Sequence, residues 1–446
     1  MVEMPKTRYA RAGDAHIAYQ VFGHGETDLV WMPHWATHIE MLWEQPLVAA
    51  FLDGLASFAR VVLFDKRGVG LSDPVALAPQ PTVESWVEDL SAVLDTVGAE
   101  RAAVAASDAA AYIAILFAAT HPDRTTALVL VNAAARAARA PDYPIGLPDQ
   151  LAERLVAAFE EHWGTGAVTP GLMDPSLADS EGWRDWEGRY QRATASPGTI
   201  VPMVRMILDT DVRAVLPAIR VPTLVLHRTE DAYIRADHGR YLADHIPGAR
   251  YVELPGGDHS PEVGDANSIL AEMQSFLTGD WPITGSDRVL TTVMFIDIVG
   301  STVEAAHLGD RHWKELLDAY DRLVLRQLDR FHGRHVKSTG DGTLATLDGP
   351  RRAIACAVAI RDGVRAVGLE IRAGLHAGEV DLRGDDLAGI AVHLAERVCS
   401  SAGPGQVLVT RTVVDLVAGS GITFDDRGEY ELKGVPATWQ LFAVQS

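Results

Sequence analysis

The residues from Thr291 to Ile296 form a short, nearly continuous apolar run that stops on Asp297, and Gly300-Ser301-Thr302 then opens a helical pattern. A run of this length without alternation suits a strand buried on both faces. Further on, His335-Val336-Lys337-Ser338-Thr339-Gly340-Asp341-Gly342 reads as a hairpin. One strand runs to about Ser338, Gly340-Asp341-Gly342 turns, and Thr343 to Leu347 returns. If both pieces join one sheet, Asp297 at a strand end and Asp341 at a hairpin tip converge. Two carboxylates with no basic neighbour in the turn repel unless a cation lies between them. Hard divalent ions that handle phosphates are held in this way, by one or two carboxylates and the substrate's own oxygens.

These stretches keep order and spacing with Arg372-Ala373-Gly374-Leu375-His376-Ala377-Gly378 and with the segment Asp386 to Arg397. From about Arg288 to the C-terminus the chain resembles the class III nucleotide cyclases. The resemblance implies an α+β, ferredoxin-like domain that cyclises a nucleoside triphosphate: the ribose 3′-oxygen attacks the α-phosphorus and pyrophosphate leaves. It implies two divalent metal ions, Mg2+ or Mn2+, held by Asp297, Ile298 and Asp341, and a phosphate cradle in the backbone of Ile298, Val299, Gly300 and Ser301 ahead of a helix. Arg372 maps to a phosphate-contacting arginine and Arg397 to the transition-state arginine. His393, one turn before Arg397, stands where asparagine is most frequent. Where a second phosphate lysine is common the chain has Val435, with Lys433 two residues earlier. Lys337 and Asp386 fall on the two purine-reading positions. A lysine donor with an aspartate acceptor suits adenine and opposes guanine, so ATP is the expected substrate. In the family these two residues face the metal aspartates from another chain, which implies a homodimer with two equivalent sites.

At 446 residues the chain is long enough for two or three domains. A net charge of −21 argues against a nucleic-acid or anionic-membrane surface, so a bound nucleotide must be held by local cations or metal. The longest apolar run, Ala109 to Thr120, is too short to span a bilayer. Only Cys356 and Cys399 carry thiols, both in apolar helical patterns, which fits core packing in a reducing cytoplasm.

The first half alternates strand and helix patterns, as a mostly parallel sheet covered on both faces requires. Thr7 to Phe22 reads as a hairpin around Gly13-Asp14, Leu29 to Met32 and Val61 to Phe64 as buried strands, and Met41 to Phe58 as an amphipathic helix. Asp65-Lys66-Arg67-Gly68-Val69-Gly70-Leu71-Ser72-Asp73, His121-Pro122-Asp123-Arg124 and Val221-Pro222-Thr223-Leu224-Val225-Leu226-His227 then resemble segments of the α/β-hydrolase fold. The order Ser107, Asp231, His259 is the order that fold uses for nucleophile, acid and base. Ser107 would attack an acyl carbon, His259 would carry the proton, and Asp231 would orient the imidazole. The elbow reads Ala105-Ala106-Ser107-Asp108-Ala109 in place of Gly-x-Ser-x-Gly, and the oxyanion loop reads Pro33-His34-Trp35-Ala36. Oxyanion donors would be the N–H groups of Asp108 and Trp35.

The sequence divides into an α/β-hydrolase-like domain over 1–280 with a helical cap at about 136–206, a linker at 281–288, and the cyclase domain over 289–446. Trp183, Trp186 and Tyr190 lie on one helical stretch of the cap, where they hold it together or line an acyl pocket. The expected function is an adenylate cyclase whose first domain senses or hydrolyses a small ligand or ester. The alternative is a serine esterase with a nucleotide-binding, catalytically weak cyclase-like domain.

Overall fold

The computed structural model describes residues 4–75, 81–279, 288–338, 340, 342–383, 386–435 and 437–445. The chain divides into two compact units, Met1–Gly285 and Ser286–Ser446. The expected linker at 281–288 falls outside the described residues except for Arg288.

In the first unit β1 (Arg8–Ala12), β2 (Ala15–Phe22), β3 (Thr27–Met32), β4 (Ala59–Phe64), β5 (Ala102–Ser107), β6 (Thr125–Val131), β7 (Thr223–Arg228) and β8 (Arg250–Leu254) form one sheet. Their order is β1-β2-β4-β3-β5-β6-β7-β8. β1, β2 and β4 pair antiparallel, and every pairing from β4 to β8 is parallel. β5 sits near the middle, and all six of its residues are buried. Its alanines let the helix Ala111–Thr120 lie close, and that helix is apolar around its whole circumference, as a helix buried on all sides must be. The expected helix Met41 to Phe58 is two pieces, a 3-10 turn Met41–Glu44 and an α-helix Pro46–Ala56. Pro46 has no N–H to donate and fits only a first helical turn, so it opens a new helix instead of continuing the old one.

Between β6 and β7 the sheet gives way to the helices Asp149–His162, Thr169–Met173, Glu181–Thr194 and Pro197–Asp209. Trp183, Trp186 and Tyr190 are buried, and their rings succeed one another at 5.2 and 5.0 Å. Trp186 donates its indole N–H to the Met41 carbonyl and Tyr190 its hydroxyl to the Ala36 carbonyl, which fastens this helix to the sheet loops.

In the second unit β9 (Arg288–Ile298), β10 (Arg334–Ser338), β11 (Gly342–Leu347), β12 (Ile371–Arg383), β13 (Asp386–Ala388), β14 (Val407–Thr410), β15 (Phe424–Glu431) and β16 (Thr438–Val444) form a second sheet. The order is β10-β11-β9-β12-β14-β16-β15, with β13 folded back on β12. The long helix Ser301–Arg330, interrupted at Gly309, follows β9, and Pro350–Arg365 and Ile390–Ser401 follow β11 and β13. β12 meets the last of these backbone to backbone at Gly374, where any side chain would collide with Cys399. Cys356 and Cys399 are buried, and burial pushes both thiols up to about 12. His376 is buried against the Thr410 hydroxyl at 2.9 Å, and burial alone drives its pKa down to about 3. No helix among the described residues is long and apolar enough to cross a membrane.

Candidate active sites

At the C-terminal end of β5 the chain turns sharply. Ser107 is still extended, at φ −116° and ψ 164°, and pairs with Val131 in the sheet. Its buried hydroxyl donates to the Pro33 carbonyl. Asp108 carries the turn at φ +54°, a left-handed conformation that costs a residue with a side chain about 1–2 kcal/mol. The bend thus falls one residue later than the alanine-flanked serine suggests.

His259 and Asp231 meet as expected: Nδ1 lies 2.7 Å from Asp231 Oδ2. Asp231 is itself held by the N–H groups of Tyr233 and Ile234 at 2.9 and 3.0 Å, on the loop after β7. His259 is pinned through its backbone, its N–H on the Met173 carbonyl and its carbonyl on the Asn132 amide. Burial disfavours its charged form, but Asp231 alongside outweighs this, and the pKa is raised above the usual histidine value. Its other nitrogen, Nε2, has no hydrogen-bond partner among the described residues, so Ser107 and His259 are not joined. Asp108 stands opposite instead, with Oδ1 at 3.9 Å from that nitrogen. Oδ2 of Asp108 is buried and has no partner among the described residues either.

A cavity of about 810 Å³ opens over this point. Asp108, Ala109, Tyr112, Tyr233 and Trp35 line its polar end, and the helices Asp149–His162 and Pro197–Asp209 supply an apolar wall that includes Leu155, Phe159 and Ile207. Trp183, Trp186 and Tyr190 do not line it; they border a separate space of about 60 Å³ and serve the packing of the cap.

In the second unit, Asp297 lies near the end of β9 between two strands, paired with Gly342 of β11 on one side and with Arg372 of β12 on the other. Asp341, the other expected carboxylate, lies outside the described residues, as does the Asp386 side chain. Arg372 directs Nε and Nη2 to Asp297 Oδ2 at 2.8 and 2.5 Å, and Nη1 to the Ser400 carbonyl at 3.5 Å. The arginine expected to hold phosphate therefore neutralises the aspartate across the strands. It holds Oδ2 alone, so Asp297 can still offer Oδ1 to a cation. That donor set fits a divalent ion that takes its remaining oxygens from water and phosphate. No cluster of three or more acidic, histidine or cysteine side chains suited to a metal occurs among the described residues.

Of the expected backbone cradle, Val299 gives its N–H to the Glu370 carbonyl at 2.9 Å, which removes it as a phosphate donor. Ile298 closes β9, Gly300 turns left-handed at φ +69°, and Ser301 starts the helix. A cavity of about 510 Å³ brings together Asp297, Lys337, His393 and Glu396, with Phe295, Leu344 and Leu387 as an apolar wall. Arg397 is not among its lining residues. Its Nε donates to the Lys433 carbonyl at 3.1 Å, which ties it to the segment after β15.

Comparison with known proteins agrees with both architectures. Residues 35–262 match the alpha/beta hydrolase fold family and residues 286–445 the adenylate and guanylate cyclase catalytic domain. The chain belongs to the alpha/beta hydrolase fold family, and in it that domain is followed by a class III cyclase domain. It is 28% identical over 238 residues to the putative carbamate hydrolase RutD of Caulobacter sp. (strain K31), covering 51% of this chain and 84% of that one. It is 32% identical over 198 residues to the uncharacterized protein Rv2212 of Mycobacterium tuberculosis (strain ATCC 25618 / H37Rv), covering 44% of this chain and 50% of that one. A crystal structure of a hydrolase from Pseudomonas aeruginosa PA01 superposes with a TM-score of 0.51 at 27% identity, over 61% of this chain and 99% of that one.

Proposed function

We propose that the second unit is an adenylate cyclase that turns ATP into cyclic AMP and pyrophosphate. The observation that carries the reading is the cavity at the end of β9, which presents Asp297 on the one hand and Lys337 and His393 on the other, the metal half and the purine half that two copies would turn toward each other. A nucleotide needs a purine-reading group, a group for the triphosphate and a dry wall for the base; Lys337, Asp297 and the apolar wall offer one of each. Lys337 donates to adenine N1, and Asp386 accepts from N6. Asp297, with Asp341 and the Ile298 carbonyl, would hold the divalent ions, which when bound lower the pKa of the attacking hydroxyl and offset phosphate charge. His393 hydrogen-bonds the ribose, and Arg372 exchanges its partner Asp297 for phosphate when cation and nucleotide arrive. Lys337, Asp386, His393 and Arg397 of one copy face Asp297 and Asp341 of a second, with Arg397 reaching the transferring phosphate, so that a homodimer makes two sites. The first unit takes a small apolar ligand in its own cavity.

Two assays test this reading. Incubated with ATP and GTP in parallel, the protein forms cyclic AMP in excess, and Lys337→Gln erodes that preference; equal or greater cyclic GMP formation would refute the base assignment. Mixing inactive Asp297→Ala with inactive Arg397→Ala restores about a quarter of wild-type activity, because half of the dimers are mixed and each has one intact site. No recovery on mixing would refute the shared site.

A further inference from the structure

The cavity of the first unit contains a nucleophile that the serine motif conceals. Ser107 is in the last extended position of β5 and its hydroxyl is spent on the Pro33 carbonyl. Asp108 has every property the serine lacks. It sits at the apex of the strand-to-helix turn in a left-handed conformation, it lines the cavity, and its buried Oδ2 has no partner among the described residues. A buried carboxylate oxygen without a hydrogen bond is costly, and a non-glycine residue at φ +54° adds to the cost. Structures keep such a combination where a group must be presented rather than stabilised. Facing it is the one nitrogen of His259 that also lacks a partner among the described residues, 3.9 Å from Oδ1. That separation is too long for a direct hydrogen bond and leaves His259 free to activate a water against the Asp108 carboxyl carbon.

We propose that Asp108 is the nucleophile of the first unit and that its substrate is a small apolar epoxide. This rests on the reading of that unit as a hydrolase. The choice of electrophile follows from the chemistry of the nucleophile. A carboxylate that attacks an acyl carbon makes an anhydride and gains nothing, whereas attack on a saturated carbon makes an ester that water can cleave. The leaving group then needs a donor within the cavity. Tyr112 and Tyr233 line the same space as Asp108, and the Tyr233 ring packs edge-on to His259 at 4.8 Å. Burial and the neighbouring Asp108 charge hold both phenols well above their ordinary pKa, so they remain protonated donors.

The steps balance. An Asp108 carboxylate oxygen forms a bond to an epoxide carbon, the ring C–O bond breaks, and the ring oxygen takes a proton from a tyrosine hydroxyl. The product is a β-hydroxyalkyl ester of Asp108. His259 Nε2 takes a proton from water as the hydroxide adds to the ester carbonyl carbon. The acyl C–O bond breaks, the departing diol oxygen takes up the carboxyl proton, and Asp108 is a carboxylate again. The imidazolium proton returns to the tyrosinate. The net reaction is epoxide plus water to diol, without an oxidant or reductant.

The test uses the full chain with styrene oxide, 1-bromohexane and a fluorophosphonate. In His259→Gln the ester forms but is not cleaved, so digestion and mass spectrometry find the styrene oxide adduct on Asp108. The adduct is absent from Asp108→Asn, whose folding is checked by thermal melting and by retained cyclase activity. With the wild type in 18O-water, one turnover places 18O in the Asp108 carboxylate. An adduct with 1-bromohexane but none with styrene oxide overturns the epoxide assignment. Fluorophosphonate labelling lost in Ser107→Ala overturns Asp108 as the nucleophile while the hydrolase reading survives. No adduct and no labelling with any probe overturns both.

Discussion

Gly374 offers a direct perturbation of the cyclase site that touches none of its chemistry. A methyl group at this position in β12 would lie 2.5 Å from Cys399 Cα and 2.7 Å from the Ala395 carbonyl oxygen, both on the backbone of the helix Ile390–Ser401. Ordinary carbon contacts need about 3.5–4.0 Å, so the helix must retreat by about 1 Å. Backbone cannot turn aside as a flexible side chain can, and overpacking of this kind costs about 1–3 kcal/mol, with the upper end expected here. The same helix carries His393 and Arg397, while Asp297 stays on the neighbouring strand β9. A displacement of about 1 Å at a reacting centre costs about 100-fold in rate. Gly374→Ala therefore lowers the melting temperature of the second unit and cuts nucleotide cyclisation by about that factor. The purified variant would be followed by denaturant unfolding and by cyclic nucleotide formation. Wild-type stability together with wild-type turnover would refute the claim that backbone contact at Gly374 sets the site.

Other expectations follow from the same geometry. Asp211 accepts from Arg136 and Arg213, and although burial pulls the other way these arginines hold its carboxyl below its ordinary value. Its contribution is fully present above the unfolded value of about 3.9 and is lost as pH falls through the lower folded value; Asp211→Asn should flatten the acid-unfolding profile of the first unit there, and an unchanged profile contradicts the pairing. Cys356 and Cys399, buried and shifted up, should resist a thiol reagent at pH 8 until denaturant is added, and prompt native labelling would contradict their burial. Trp186→Ala removes a buried ring and its bond to Met41, with an expected loss of about 3–5 kcal/mol and a loosened cap, measured by urea unfolding. If Asp108 forms an ester, its cleavage needs neutral His259, so the single-turnover rate should rise with pH through the raised histidine pKa; a flat profile contradicts His259 as the base.

Much of the architecture was legible because patterns of period and length carry it. The alternation of buried strands with helices announced the first sheet, and the apolar run ending on Asp297 announced β9, whose residues Val293, Met294 and Ile296 are buried. What stayed hidden depends on register and on small residues. Alanines flank the elbow on both sides, so no glycine marked which residue turns, and the serine drew the frame one position early. The pairing of Arg372 with Asp297 arises from the register of β12 on β9, which no local pattern encodes. Arg397 and His393 are four residues apart on one helix, yet only His393 lines the cavity, because Lys433 of a distant segment captures the arginine. Pro46 was visible in the sequence, and its place at the start of a new helix follows from its missing N–H together with the clash of its ring with a preceding turn.

The most direct measurement is cyclic nucleotide formation from ATP by the full chain in Mg2+ or Mn2+, with wild type and Asp297→Ala side by side. Wild type forms cyclic AMP, and the variant, which lacks the carboxylate at the centre of the site, forms about a thousandfold less or none. No cyclic AMP from the wild type with either ion, or equal product from the variant, would contradict the cyclase reading.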